Sequence, residues 1–175
     1  MRSNNRGPTF LFGLSLLVPL IIVGCNVWVK TIDADQTCLG YLKRSADANT
    51  VPMALEQLTV ARKAMEAKHW TSGYTSVIYK TPDEDVGYWY KNVCESEKEL
   101  LRAAGNSKMS QLEQSNVLMK LRETLLDGGE KGVAITCPAG IALYPSNKKY
   151  AVLVSVALVF AAIGACFIIV SCKDY

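Results

Sequence analysis

Two uninterrupted apolar stretches bracket the chain. Residues 9–29 run 21 positions without a charge, and residues 150–172 run 23. At a rise of about 1.5 Å per residue, either stretch covers a hydrocarbon layer about 30 Å thick. A helix is the one single-segment conformation that satisfies every backbone amide in lipid, so the pattern predicts two transmembrane helices. Interface anchors stand at their ends: Trp28 and Lys30 close the first, and Lys148, Lys149 and Tyr150 open the second. Pro19 predicts a kink in the first. The chain then divides into a stub at 1–8, a span at 9–29, a domain at 30–149, a span at 150–172 and a tail at 173–175.

Between the spans the apolar positions change to helical spacing. Ala34, Cys38, Tyr41, Leu42 and Ser45 carry the first helix outward to about Asn49. Pro52, with Asn49 or Thr50 as cap, starts a second helix whose stripe is Val51, Leu55, Leu58, Ala61 and Met65, ending near Lys68. A third is predicted from Thr81, Pro82, Asp83 and Glu84, which read as a capping box with proline at the first helical position. Its stripe is Val86, Tyr90, Val93, Leu100, Leu101 and Ala104, and Gly105 with Asn106 ends it. A fourth starts at Ser107 or Ser110, where Ser110 and Glu113 form another capping box. It carries Leu112, Val117, Leu118, Leu121 and Leu125 and stops at Gly128 and Gly129.

Two stretches interrupt this pattern. Residues 69–80 read as a loop with an extended piece at 75–79, and residues 130–147 as an ordered, non-helical return that includes a short hairpin. The expected fold class is mainly α: two transmembrane helices flanking an antiparallel bundle of three to four helices, with one extended loop and a non-helical return segment.

Size and charge narrow the function. With two spans removed, the 175 residues leave room for one modest core. Between the spans, 16 Lys and Arg face 15 Asp and Glu, so no strong field steers the domain toward nucleic acid. The single histidine, His69, and the lack of any C-x-x-C pair leave no zinc constellation or familiar triad in the pattern. Asp83, Glu84 and Asp85 fit a first helical turn, where the macrodipole favours acids. No phosphate-binding glycine loop is present. The expectation is a non-enzymatic protein without cofactor or metal.

Cysteine usage depends on compartment. Cys25, Cys166 and Cys172 lie in the spans or at their edges and read as small apolar residues. Cys38 stands nine residues beyond Val29, about 13 Å above the membrane, and Cys137 lies in the return segment. If the domain faces an oxidising compartment, Cys38 and Cys137 are the candidate disulfide, leaving Cys94 over. Arg2 and Arg6 on the stub, against Lys30 offset by Asp33 and Asp35, predict both termini in the cytoplasm and the domain outside a bacterial inner membrane. An alternative starts from residues 22–25, Ile-Val-Gly-Cys, which resemble a bacterial lipobox. Cleavage there would leave Cys25 acylated. Apolar character continuing through Val27, Trp28 and Val29 favours the uncleaved helix.

One local concentration remains. Trp70, Tyr74, Tyr79, Tyr88, Trp89 and Tyr90 are six of fifteen aromatics within 21 residues. With positions 86, 90 and 93 facing inward, Tyr88 and Trp89 fall partly off the stripe. Trp70, Tyr74, Tyr79, Tyr88 and Trp89 are then the candidate interaction or ligand surface. The opposing reading has these rings packed at home, as a lid over the bundle. In the second span Ala157, Ala161, Gly164 and Ala165 would let another helix approach closely.

The layout of span, helical bundle and span is similar to the extracytoplasmic half of bacterial chemoreceptors and sensor kinases, in architecture alone. Three residues follow Cys172, so a receptor of this design would need a separate signalling partner. The leading expectation is a membrane-anchored scaffold or accessory subunit. Its partners would be the lipid bilayer and another membrane protein, or a second copy of itself. A small-molecule-binding sensory module working through the aromatic region is the alternative.

Overall fold

The computed structural model describes residues 6–129 and 132–173, so most of the expected stub and the last two residues of the tail lie outside the described residues. The chain is mainly helical, with one small antiparallel two-stranded sheet. It forms two compact units: residues 1–30 with 146–175, and residues 31–145.

The first unit holds two helical stretches long and apolar enough to cross a membrane. The N-terminal one is α1 (Arg6–Ser15) followed by α2 (Val18–Ala34). The interruption at Leu16 and Leu17 has a local cause. Pro19 donates no amide hydrogen and its ring crowds the carbonyl four residues back, on Ser15, where α1 stops. Leu17 instead donates to Leu14 O at 3.1 Å. The C-terminal one is α7 (Asn147–Lys173).

These two stretches pack on each other through glycine. A Cβ built on Gly164 would lie 2.6 Å from Gly13 O, and one on Gly13 would lie 2.8 Å from Gly164 O. Two backbones in such contact leave no room for any side chain. Phe12 and Phe167 meet edge-to-face beside them, ring centroids 5.5 Å apart. On α7 the buried or half-buried positions are Asn147, Tyr150, Ala151, Val154, Ala157, Ala161, Gly164, Ile168 and Ser171, whereas Ala165 is exposed. Most of the remaining apolar side chains of both stretches, Ile21, Ile22, Val152 and Val159 among them, are exposed.

The second unit is inside-out relative to the first. α2 passes through a π turn (Asp35–Leu39) into α3 (Gly40–Ala46). Gly40 N–H reaches back five residues to Asp35 O, and a Cβ at Gly40 would lie 2.7 Å from that oxygen, so only glycine fits. The extra residue turns both Cys38 and Leu39 inward, ahead of Leu42, Ser45 and Ala46.

Then comes α4 (Val51–Ala67), capped by Thr50, whose hydroxyl accepts from Met53 N–H at 3.4 Å. α3 and α4 run in opposite directions, since Ser45 Oγ donates to Ala54 O at 2.8 Å and Cys38 Sγ sits 3.6 Å from Ala61 O. Small residues at each crossing allow the approach.

α5 (Val86–Gly105) starts later than the spacing predicts. Thr81, Pro82, Asp83 and Glu84 do not open it; Pro82–Glu84 is a separate 3-10 turn in which Thr81 Oγ1 donates to Glu84. The true cap is Asp85, accepting from Tyr88 N–H at 3.0 Å. The buried stripe is Val86, Trp89, Val93, Glu97, Leu100 and Ala103, while Leu101 and Ala104 are exposed. α6 (Gln111–Leu125) realises the expected capping box, with Glu113 N–H on Ser110 Oγ at 3.2 Å and Ser110 N–H on Glu113 at 2.8 Å. Leu112, expected on the stripe, is instead exposed.

The hairpin begins at the end of α6, before the predicted non-helical return. β1 (Leu126–Gly129) pairs with β2 (Gly132–Ile135) in the register Leu126 with Ile135. A 3-10 turn (Ile141–Leu143) follows and leads to α7.

Candidate interaction surface

α4 ends in a motif that aims the next segment. His69 takes a left-handed φ of 58°, its N–H bonds Glu66 O at 3.0 Å, and Trp70 N–H bonds Met65 O at 2.8 Å. This is a Schellman ending with the apolar pair Trp70 and Met65 beneath it, which gives the only histidine a backbone role. Trp70 is thereby driven into the core, 2% exposed, where its indole N–H donates to Tyr144 O at 3.2 Å. Trp89 is 6% exposed and donates to Thr136 O at 2.7 Å. The two indoles lie 6.4 Å apart.

Trp70 and Trp89 are therefore not surface residues, which corrects the expectation for both. Taking 86, 90 and 93 as the inward positions puts Trp89 off the stripe, but a separation of three residues is equally helical, and 86, 89 and 93 is the face used. Tyr90 lies half-buried at its edge, its hydroxyl on Glu66 at 2.7 Å. That bond, followed by Arg62, holds the Glu66 carboxyl below its usual range, and the same carboxylate raises Tyr90 above the ordinary phenol value.

The segment after Trp70 is tied down at its ends. Tyr144 hydroxyl donates to Ser72 O at 2.5 Å. Val86 N–H bonds Gly73 O at 2.9 Å, Thr75 N–H bonds Glu84 O at 3.1 Å, and Tyr74 bridges Asp85. Gly73 has φ +96°, and a Cβ there would collide with the Tyr144 hydroxyl. The extended piece expected at 75–79 is absent; only the single bridge at Tyr74 forms. From this closed neck the chain makes an excursion carrying Val77, Ile78 and Tyr79. Ile78 is 90% and Tyr79 72% exposed.

Of the five predicted surface residues, Tyr74, Tyr79 and Tyr88 remain outside the core. Tyr74 is half-buried under Lys80, whose ammonium lies 4.9 Å from the ring centroid. Tyr88 is 65% exposed. Tyr74 and Tyr88 share an open cleft of about 490 Å³ with Lys80, Pro82, Asp83 and Asp85. Val77 and Ile78 were not legible as surface residues, because an apolar pair in a short loop reads equally as a strand.

A second missed feature is Glu97, buried on the α5 stripe. It pairs with Arg62 Nε at 2.5 Å and accepts from Thr59 at 2.7 Å, linking α4 and α5. An acid at stripe spacing was its signal, since a buried charge needs a partner.

Cys38 and Cys137 are free thiols in this structure. Burial pushes Cys38 up to about 12, with Cys137 adding to the rise, and burial also pushes Cys137 up. Cys38 is buried and Cys137 half-buried. At the predicted interface anchors, Trp28, Lys30, Lys148 and Lys149 are exposed and Tyr150 is half-buried. No family model, curated protein or solved structure matches the chain.

Proposed function

We propose that this chain is a non-enzymatic membrane-anchored interaction protein, held by two transmembrane helices and presenting its helical domain to a partner outside the membrane. The observation that carries the anchoring is the outward apolar surface of α1, α2 and α7. A core helix of a soluble protein buries such residues, whereas lipid accepts them exposed. The Gly13 and Gly164 contact supports an uncleaved first helix over a lipoprotein leader, because cleavage before Cys25 would discard half of a fitted pair. The charge bias of the flanks supports cytoplasmic termini and an antiparallel bundle outside.

The partner would seat on the cleft beside Tyr74 and Tyr88, since an exposed tyrosine such as Tyr88 next to a hollow is a usual anchor of interfaces. A separate membrane protein and a second copy are both candidates. Crosslinking in intact membranes should recover one discrete heteromeric or homomeric product, lost in Tyr88→Ala. Monomers alone across several crosslinkers overturn the proposal. The cleft also supports a second reading, as a small-molecule sensory site, because its size falls in the ligand-pocket range. Stabilisation of the purified protein by a small molecule in a thermal-shift screen, abolished in Tyr74→Ala, would favour that reading.

A further inference from the structure

We propose that the cleft beside Tyr74 and Tyr88 recognises its partner through a cation: an arginine or lysine side chain of a protein, seated on the Tyr88 ring and paired with Asp83 and Asp85. The inference rests on the protein-partner reading above and names the chemistry of that contact. Every residue it uses lies within the unit at 31–145.

The cleft is shaped by bonds inside that unit. Tyr74 bridges Asp85, and Thr75 N–H holds Glu84 O at 3.1 Å. The 3-10 turn Pro82–Glu84 leaves Asp83 exposed at the rim. Asp85 Oδ1 accepts from Tyr88 N–H at 3.0 Å, which ties the carboxylate and the tyrosine into one helical turn at the start of α5. The Tyr88 ring stays 65% exposed.

Charge within the cleft is unbalanced. Two carboxylates line it, Asp83 and Asp85, against the single ammonium of Lys80. That ammonium pairs with neither acid among the described residues. It lies instead 4.9 Å from the centroid of the Tyr74 ring. Asp83 has no ion-pair partner among the described residues, and Asp85 uses one oxygen for the cap and leaves the other open. No described cation covers Tyr88. An ammonium or guanidinium answers both features at once, since it pairs with a carboxylate and is drawn to the face of a tyrosine ring. Lys80 over Tyr74 is a tethered example of that seat in the same cleft. An acidic partner would bring like charge against Asp83 and Asp85, which opposes docking.

The test reads the discrete crosslinked product in intact membranes, from the full chain and its variants. Asp83→Asn removes a carboxylate that holds no ion pair in the fold, and should lower the yield about threefold, the scale of one exposed ion pair. Adding Asp85→Asn should bring the loss to about tenfold, and asparagine still caps α5. Raising salt from about 0.05 M to about 0.5 M before crosslinking should weaken the wild type far more than the paired variant. Lys80→Met should keep or raise the yield. Equal thermal unfolding of the variants in mild detergent shows that the fold is intact; where the paired variant unfolds early, Asp83→Asn alone decides. Product lost in Tyr88→Ala but undiminished in the asparagine variants overturns the cation and leaves the partner reading standing. Product lost in Lys80→Met but kept in the asparagine variants assigns an acidic partner and also overturns it. Product undiminished in Tyr88→Ala, or monomers alone, removes the partner reading from this cleft, and the cation with it. Monomers alone together with stabilisation of the purified chain by agmatine, abolished in Tyr88→Ala, would assign the seat to a small amine and overturn the docking.

Discussion

The two units use the same side chains in opposite ways. In residues 31–145, Leu, Val, Met and Trp face inward and meet one another across α3, α4, α5 and α6. In α1, α2 and α7 most Leu, Ile, Val and Phe side chains face outward, and the closest approach between the stretches is made by two glycines, beside the Phe12 and Phe167 pair. Water rewards burial of apolar area at about 25 cal/mol per Å². Lipid offers no such reward, so close packing of small residues has to hold helices together there. One chain therefore carries two packing patterns, and the outward-facing apolar one belongs to the stretches long and apolar enough to cross a membrane.

The sharpest way to break that contrast is a truncation in each unit. Trp89→Ala should lower the stability of the unit at 31–145, called inner here for its inward-packed side chains, by about 3–5 kcal/mol, because it empties a core site and leaves Thr136 O without its donor. Leu153→Ala, on an exposed position of α7, should change the same unfolding midpoint by less than about 0.5 kcal/mol. Denaturant unfolding followed by circular dichroism in mild detergent measures both. Equal effects would mean that the outer apolar face is a packed core after all.

Next in size is the glycine contact. Gly164→Leu should cost the helix pair about 1–3 kcal/mol through overpacking, since no rotamer clears Gly13 O. The readout is a short bis-thiol crosslinker between Phe12→Cys and Phe167→Cys, with Cys25 and Cys166 replaced by alanine. The crosslink should form with Gly164 present and be lost with leucine, while the inner unit unfolds unchanged.

Acid should act on the inner unit alone, and more gently. Glu66 and Glu113 are held below the usual carboxylate value, the first chiefly by the Tyr90 hydroxyl and the second by the Ser110 backbone N–H. With folded values depressed, the unfolded chain binds more protons at low pH. Their contribution is therefore present above about pH 4.5, the ordinary carboxylate value, and is lost as pH falls through the folded values. Tyr90→Phe should narrow this acid loss by letting Glu66 rise. A stability profile from pH 7 to pH 3 tests the sign.

The smallest effect is at His69, whose left-handed backbone costs a histidine more than a glycine. His69→Gly should stabilise the inner unit by about 0.5 kcal/mol, measured as a small rise in Tm.

Local rules made much of this molecule legible in advance. The apolar runs, the break at Pro19, the Thr50 and Ser110 caps and the α4 stripe each depend on residues within a turn or two of one another. A capping box needs only Ser110 and Glu113, and a span needs only length without charge. Where prediction went astray, at Thr81 to Glu84, two valid starts competed. The loop from Gly73 to Thr75 pairs across to Glu84 and Val86 and so gives the start to Asp85. No pattern within the helix itself could announce that pairing.

Sequence by itself determined most of the helices and their ends, and that two stretches carry long uncharged apolar runs. Tertiary structure alone decided which aromatics are core and which are surface. Trp70 and Trp89 found distant carbonyl partners at Tyr144 and Thr136, while Tyr79 and Tyr88 stayed exposed. It also decided that Gly164 meets Gly13 and that Arg62 pairs with Glu97. The physical reason is range. Caps and stripes are set by bonds a few residues long, whereas burial is set by which faces of remote elements close on one another.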